Sequence, residues 1–196
     1  MGERVDLSST VGSLAFPNPV MTASGTAGHG VELADYVDLA SLGAVVVKSL
    51  SADPWAGNPA PRVHQTPAGM INSVGLQGPG IAVWAADDLP ALIGSGARVV
   101  VSIWGRSIDD YRRAAELCAL LPPEVVAVEV NVSCPNVEDR HQMFAHDPAS
   151  TRAVVEATSE AGRPRWAKLS PNVTDIVSIA SAAQEAGAEA VTLTNT

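Results

Sequence analysis

An α/β fold, with a parallel sheet curled into an incomplete (β/α)8-type barrel, follows from three features of the 196-residue sequence. Short apolar, β-branched runs bounded by turn residues alternate with helical patterns about six times, the rhythm of a parallel sheet with helices outside it. No G-x-G-x-x-G follows the first run, as an open dinucleotide-binding sheet requires, and the glycine-rich stretch 24–30 lacks the Lys-Ser/Thr ending of a P-loop. The connection 49–80 holds five prolines and five glycines and far exceeds the ~2–6 residues of an ordinary βα loop, so it is read as functional.

The strands are expected at 19–22, 44–48, 98–102, 125–132, 165–169 and 190–194, each apolar enough to be buried on both faces. Helical spacing covers 31–41, 81–93, 108–121, 149–161 and 175–186. Three helix starts carry their own signals: Ser107 with Asp110 three residues on, Asp147 before Pro148, and Thr174 before Asp175. Within the long connection, 62–66 alternates as a hairpin strand does and 68–72 can return from it. The chain is read as a single domain over 1–196. A complete barrel needs roughly 250 residues, so these form about six of eight βα units, with strands one and six as open edges.

Composition narrows the function. Twelve Lys and Arg against 21 Asp and Glu leave a formal charge of −9, which argues against a nucleic-acid partner. Hydrophobic residues at 46% and charged ones at 17% suit a folded globular chain. Cys118 and Cys134 are too few for a disulfide framework, and the four histidines lack metal-ligand spacing. No apolar run is long enough for a membrane span and no signal segment opens the chain, so a cytoplasmic protein is expected.

In a parallel barrel every strand delivers its C-terminal end to one face, so polar residues there converge even when distant in sequence. Those ends carry Ser24, Lys48 and Ser49, Ser102, Asn131 through Asn136, Lys168 through Asn172, and Thr194, Asn195 and Thr196. Lys48 and Lys168 end apolar strands and are costly to bury without an anion, which points to a reduced flavin ring or a substrate carboxylate. Alternatively, one or both reach solvent or pair with a carboxylate. Asn72, Asn131 and Asn195 each present both a donor and an acceptor, together a match for the alternating edges of a pyrimidine, although each alone is also an ordinary turn residue. Cys134, just past a strand end and before Pro135, is a candidate general base; Cys118, among Ala and Leu on a helix, is a small buried hydrophobe. His141 and His146 are read as loop residues, and the Asp87-Asp88 and Asp109-Asp110 pairs as solvated faces or caps.

The stretch Glu129-Val-Asn-Val-Ser-Cys-Pro-Asn136 resembles a signature of the dihydroorotate dehydrogenases. Further matches are Asn18-Pro-Val-Met-Thr-Ala-Ser-Gly25, Val47-Lys-Ser49, Gly57-Asn-Pro-Ala-Pro-Arg62, Gly69-Met-Ile-Asn-Ser-Val-Gly-Leu-Gln77, Ala167-Lys-Leu-Ser-Pro-Asn-Val-Thr-Asp175 and Thr194-Asn-Thr196, in the family's order. The resemblance implies a TIM-type barrel that holds FMN at its mouth and oxidises dihydroorotate to orotate in pyrimidine biosynthesis. It places Ser24, Lys48, Ser49, Ser102, Asn131, Lys168 and Thr194 against the flavin. It places Lys48, Asn72, Ser73, Val74, Gly75, Leu76, Asn131, Asn195 and Thr196 around the substrate, and makes Cys134 the base. A cysteine base and no N-terminal membrane helix resemble the soluble class. The run from Val74 to Gly80 resembles its NAD-linked type, whose catalytic chains work with an electron-transfer subunit carrying FAD and an iron–sulfur cluster; a homodimer or heterotetramer is then expected for the full-length protein. Two departures stand out: Ser102 and Gly78 each replace an asparagine common in the family. The glycine-rich segments that grip the FMN phosphate in the family are expected beyond Thr196. Two other readings remain: a related flavin-dependent dihydropyrimidine oxidoreductase, and a non-catalytic truncated barrel fragment.

Overall fold

The structure, a computed structural model, describes residues 5–133 and 143–195. Among them, five parallel strands form one sheet in the order β3 (Val45–Val46), β6 (Val99–Ile103), β7 (Val125–Asn131), β8 (Arg165–Lys168) and β9 (Ala190–Thr192). Two antiparallel hairpins stand apart from it, β1 (Ser9–Val11) with β2 (Leu14–Phe16) and β4 (Val63–Thr66) with β5 (Gly69–Asn72). Helices follow the strands: α1 (Ile81–Asp87) and α2 (Leu89–Gly94), then α3 (Ile108–Ala119), α4 (Pro148–Ala157) and α5 (Ile176–Glu185). This is part of a TIM-type barrel, the expected architecture. No helix among the described residues is long and apolar enough to cross a membrane.

Alternation along each strand divides the sheet into two faces. Val45, Val99, Val101, Val128, Val130 and Ala167 point outward into the main core, where they meet Trp84, Tyr111, Val155 and Ile179 from the helices. The residues between them point inward. At the base of the barrel these are Ala44, Val46, Val100, Ala127 and Trp166, which form a second cluster with Phe16. The β1–β2 hairpin plugs this base: Phe16 meets Trp166 edge-on with ring centroids 6.0 Å apart, and the Ser13 amide donates to Glu189 at 2.7 Å. Toward the C-terminal ends the inward positions turn polar, and that change of character creates the site.

Local signals set most element ends. Ser107 and Asp110 form a reciprocal capping box at α3, and Asp147 accepts the Ser150 amide at 2.7 Å with Pro148 in the first turn of α4. Four expectations are corrected. The first expected strand makes only a parallel bridge, Met21 with Ala44, because beyond it the Thr22 hydroxyl, rather than its backbone, takes up the Val46 amide at 2.8 Å and carbonyl at 3.1 Å. Residues 31–41 are turns ending in a 3-10 segment, Leu39–Ser41, not an α-helix; Asp38 turns its carboxylate onto the Ala40 amide, an alternative partner that competes with helical bonding. The expected helix 81–93 breaks at Asp88 because Pro90 cannot donate to the carbonyl of residue 86. α5 is capped by Asp175, which accepts from Val177 and Ser178, rather than by Thr174.

Candidate functional site

At the C-terminal ends of the strands lies a cleft of about 420 Å³ lined by Ser24, Lys48, Ser49, Asn131, Lys168, Thr194 and Asn195, together with the loop from Asn72 to Leu76. The structure therefore brings together nearly all the residues singled out from the sequence. Cys134 and Thr196 lie outside the described residues. Ser102 occupies a different place from its neighbours: it is fully buried behind the cleft wall and, among the described residues, meets the cleft through Ser49.

The strand register explains the convergence. Asn131 and Lys168 are paired positions on β7 and β8, so both side chains emerge at one level on the inward face. Lys168 is only 4% exposed, and among the described residues no carboxylate forms an ion pair with it or with Lys48. Burial, helped by the nearby charge of Lys168, holds the Lys48 ammonium below the ordinary lysine range. A cleft with two such cations favours an anionic occupant.

The loop over the mouth is held by the long connection. Trp55 Nε1 donates to the Gly75 carbonyl at 2.9 Å, Asn58 Nδ2 to the Ser73 carbonyl at 2.8 Å, and the Asn58 amide to the Val74 carbonyl at 3.0 Å. Gly75 is required here: φ is +75°, and a Cβ would stand 2.8 Å from Asn58 Cγ. Leu76 takes the same left-handed region at φ +58°, a conformation costing a non-glycine residue roughly 1 kcal/mol.

Behind the cleft runs a hydrogen-bond network that reading the sequence missed. Ser24 Oγ lies 3.1 Å from Ser49 Oγ, which lies 2.9 Å from Ser102 Oγ; Ser102 donates to Glu129 Oε1 at 3.0 Å. Thr192 donates to Glu129 Oε2 at 2.9 Å, and Asn131 Nδ2 donates to Ser49 Oγ at 3.2 Å. Ser133 donates to Asn131 Oδ1 at 2.6 Å and accepts from Asn195 Nδ2 at 2.5 Å, while Tyr111 donates to the Asn131 carbonyl at 2.6 Å. Glu129 is therefore a buried acid with both oxygens engaged. Its signal was available, since a residue two before Asn131 in a strand shares its face.

Comparison with known proteins agrees with the geometry. The family profile described as dihydroorotate dehydrogenase matches residues 6–196. The chain is 50% identical over 194 residues to the protein of Desulforudis audaxviator named dihydroorotate dehydrogenase B (NAD(+)), catalytic subunit, covering 98% of this chain and 63% of that one. It is 46% identical over 192 residues to the protein of the same name from Geotalea uraniireducens, covering 97% and 63%. With that from Geobacter sulfurreducens it shares 45% over 195 residues, covering 99% and 64%. The chain thus spans a little under two thirds of the length of these relatives. With a profile matched over nearly its whole length and the motif residues gathered around one cleft, this chain belongs to the dihydroorotate dehydrogenase family.

Proposed function

We propose that this chain takes part in the FMN-dependent oxidation of dihydroorotate to orotate, a step of pyrimidine biosynthesis. The observation that carries the reading is the meeting of two cations, Lys48 and Lys168, with the amides of Asn72, Asn131 and Asn195 in one cleft. The residues present suit a flavin: a buried lysine with no carboxylate partner among the described residues can face the ring's electron-rich edge, and Ser24, Ser49, Asn131 and Thr194 supply short polar contacts. FMN, when bound, supplies a hydride acceptor, which no side chain provides.

The chain's own residues do the rest. Lys48 and the loop from Asn72 through Ser73, Val74 and Gly75 to Leu76 hold the substrate, with Lys48 matching its carboxylate. Asn131 and Asn195, with Thr196 next to Asn195 in sequence, complete its polar contacts. Lys168 opposes negative charge as it develops. Ser102 supports the site through Ser49 rather than by direct contact. Cys134 takes the proton from the ring carbon beside the carbonyl as the adjacent carbon loses hydride. The relatives are named as catalytic subunits of an NAD(+)-linked enzyme, which supports an electron-transfer partner carrying FAD and an iron–sulfur cluster.

The test is anaerobic: add FMN to the chain, titrate dihydroorotate and follow the flavin absorbance. Bleaching with dihydroorotate but not with dihydrouracil supports the reading and its use of a carboxylate. Bound flavin that both compounds bleach equally removes the role given to Lys48; no flavin binding rejects a cofactor site within these residues.

A further inference from the structure

We infer that Glu129 fixes the direction of the hydrogen bonds behind the cleft, leaving Ser24 Oγ able only to accept, so that this wall selects a ligand presenting an N–H. The inference rests on the flavin reading of the cleft and deepens it by assigning a positioning residue.

The direction follows by elimination. A carboxylate has no proton to give, so the Ser102 hydroxyl spends its single proton on Glu129 Oε1. Ser102 can then only accept across its 2.9 Å contact with Ser49, and Ser49 must donate there. Ser49 has no second proton, and it already accepts from Asn131 Nδ2. The 3.1 Å contact between Ser24 and Ser49 must therefore be donated by Ser24. Ser24 lines the cleft with its proton turned inward and its lone pairs outward. The same logic fixes the Asn131 amide: Nδ2 points to Ser49, and Oδ1 accepts from both the amide and the hydroxyl of Ser133.

One feature keeps the direction from reversing. Thr192 donates to the other oxygen of Glu129, so the carboxylate accepts on both sides. Ser102 is the link: a hydroxyl has one proton to direct, whereas an amide would both donate and accept.

Oxidised flavin has one ring N–H, at N3, so FMN and 3-methyl-FMN are the probes. The full chain is titrated with each and the ratio of the two dissociation constants is read. The unaltered chain is expected to prefer FMN by roughly tenfold or more. Ser102→Ala separates Ser49 from Glu129 and frees the Ser24 proton to turn into the cleft, so the ratio should fall severalfold while any steric cost of the methyl group persists. If Ser102→Ala does not fold, Glu129→Gln supplies the same reading, because its amide can donate to Ser102 and reverse the chain. An unchanged ratio in the folded variant, or equal binding of both flavins by the unaltered chain, overturns the inference and leaves the flavin reading standing. Failure to bind either flavin overturns both.

Discussion

Lys48 and Lys168 face the same cleft from strands that are not neighbours, and the charge of the second adds to burial in lowering the proton affinity of the first. Folded Lys48 therefore has a pKa below the ordinary 10.5. Between that lowered value and 10.5 the unfolded chain binds more protons, so the Lys48 contribution to stability becomes less unfavourable as pH rises through that window. Lys48→Met should raise the ligand-free melting temperature at neutral pH by about 1–3 °C, a modest effect because the side chain is only half buried. The difference should shrink as pH approaches 10.5. Melting curves across that range check it; a growing difference would contradict the assignment.

Arg163 closes the C-terminal end of α3, which has no basic residue in its last turn. Its guanidinium donates to the Val125 carbonyl at 2.6 Å and the Pro122 carbonyl at 3.0 Å, and also reaches the carbonyls of Cys118 and Leu121. Arg163→Ala leaves these acceptors without that donor and should cost about 2–4 kcal/mol in urea unfolding. Arg163→Lys, with the charge but not the fork, should recover less than half of that.

Gly43 lets the first inward segment approach β3. A Cβ there would stand 2.4 Å from the Asn18 carbonyl oxygen and 3.0 Å from that of Val20, the acceptor of the Gly43 amide at 2.7 Å. Gly43→Ala should destabilise by about 1–3 kcal/mol and speed hydrogen exchange at residue 43 and at Thr22, whose amide donates to Ala44. Exchange accelerating evenly over the whole chain would argue against this local wedge.

Cys118 is buried in the core and its thiol is pushed up to about 12 by desolvation. A raised folded pKa stabilises below the unfolded value near 9.0, and that contribution is lost as pH climbs from 9.0 toward 12. At pH 8 iodoacetamide should leave Cys118 unmodified until the chain is unfolded by urea. Peptide mapping before and after denaturant checks this; labelling at Cys118 in the native chain, as distinct from Cys134, would place that thiol outside the core.

How much could be read beforehand depended on whether a feature was local. The capping box at Ser107 and Asp110, the Asp147-Pro148 start and the 62–72 hairpin are set by residues within a few positions of one another, and all formed. Convergence of Lys48, Asn131 and Lys168 followed from parallel-barrel geometry. The β1–β2 hairpin was overlooked although the Gly12-Ser13 turn lies between β-formers; three-residue strands give too short an alternation to notice. The burial of Ser102 and its bond to Glu129 were hidden because they depend on register between strands, a relation that no stretch of sequence contains.

The two-faced strands also separate the tasks on which change can act. Val128 and Val130 answer to the helices, while Glu129 and Asn131 between them answer to the cleft. Adjacent codons thus serve independent pressures: drift in one can be absorbed by repacking, while drift in the next alters what the protein recognises. Recombining inward rows among relatives, with the outward rows kept, offers a route to altered ligand preference on an unchanged scaffold.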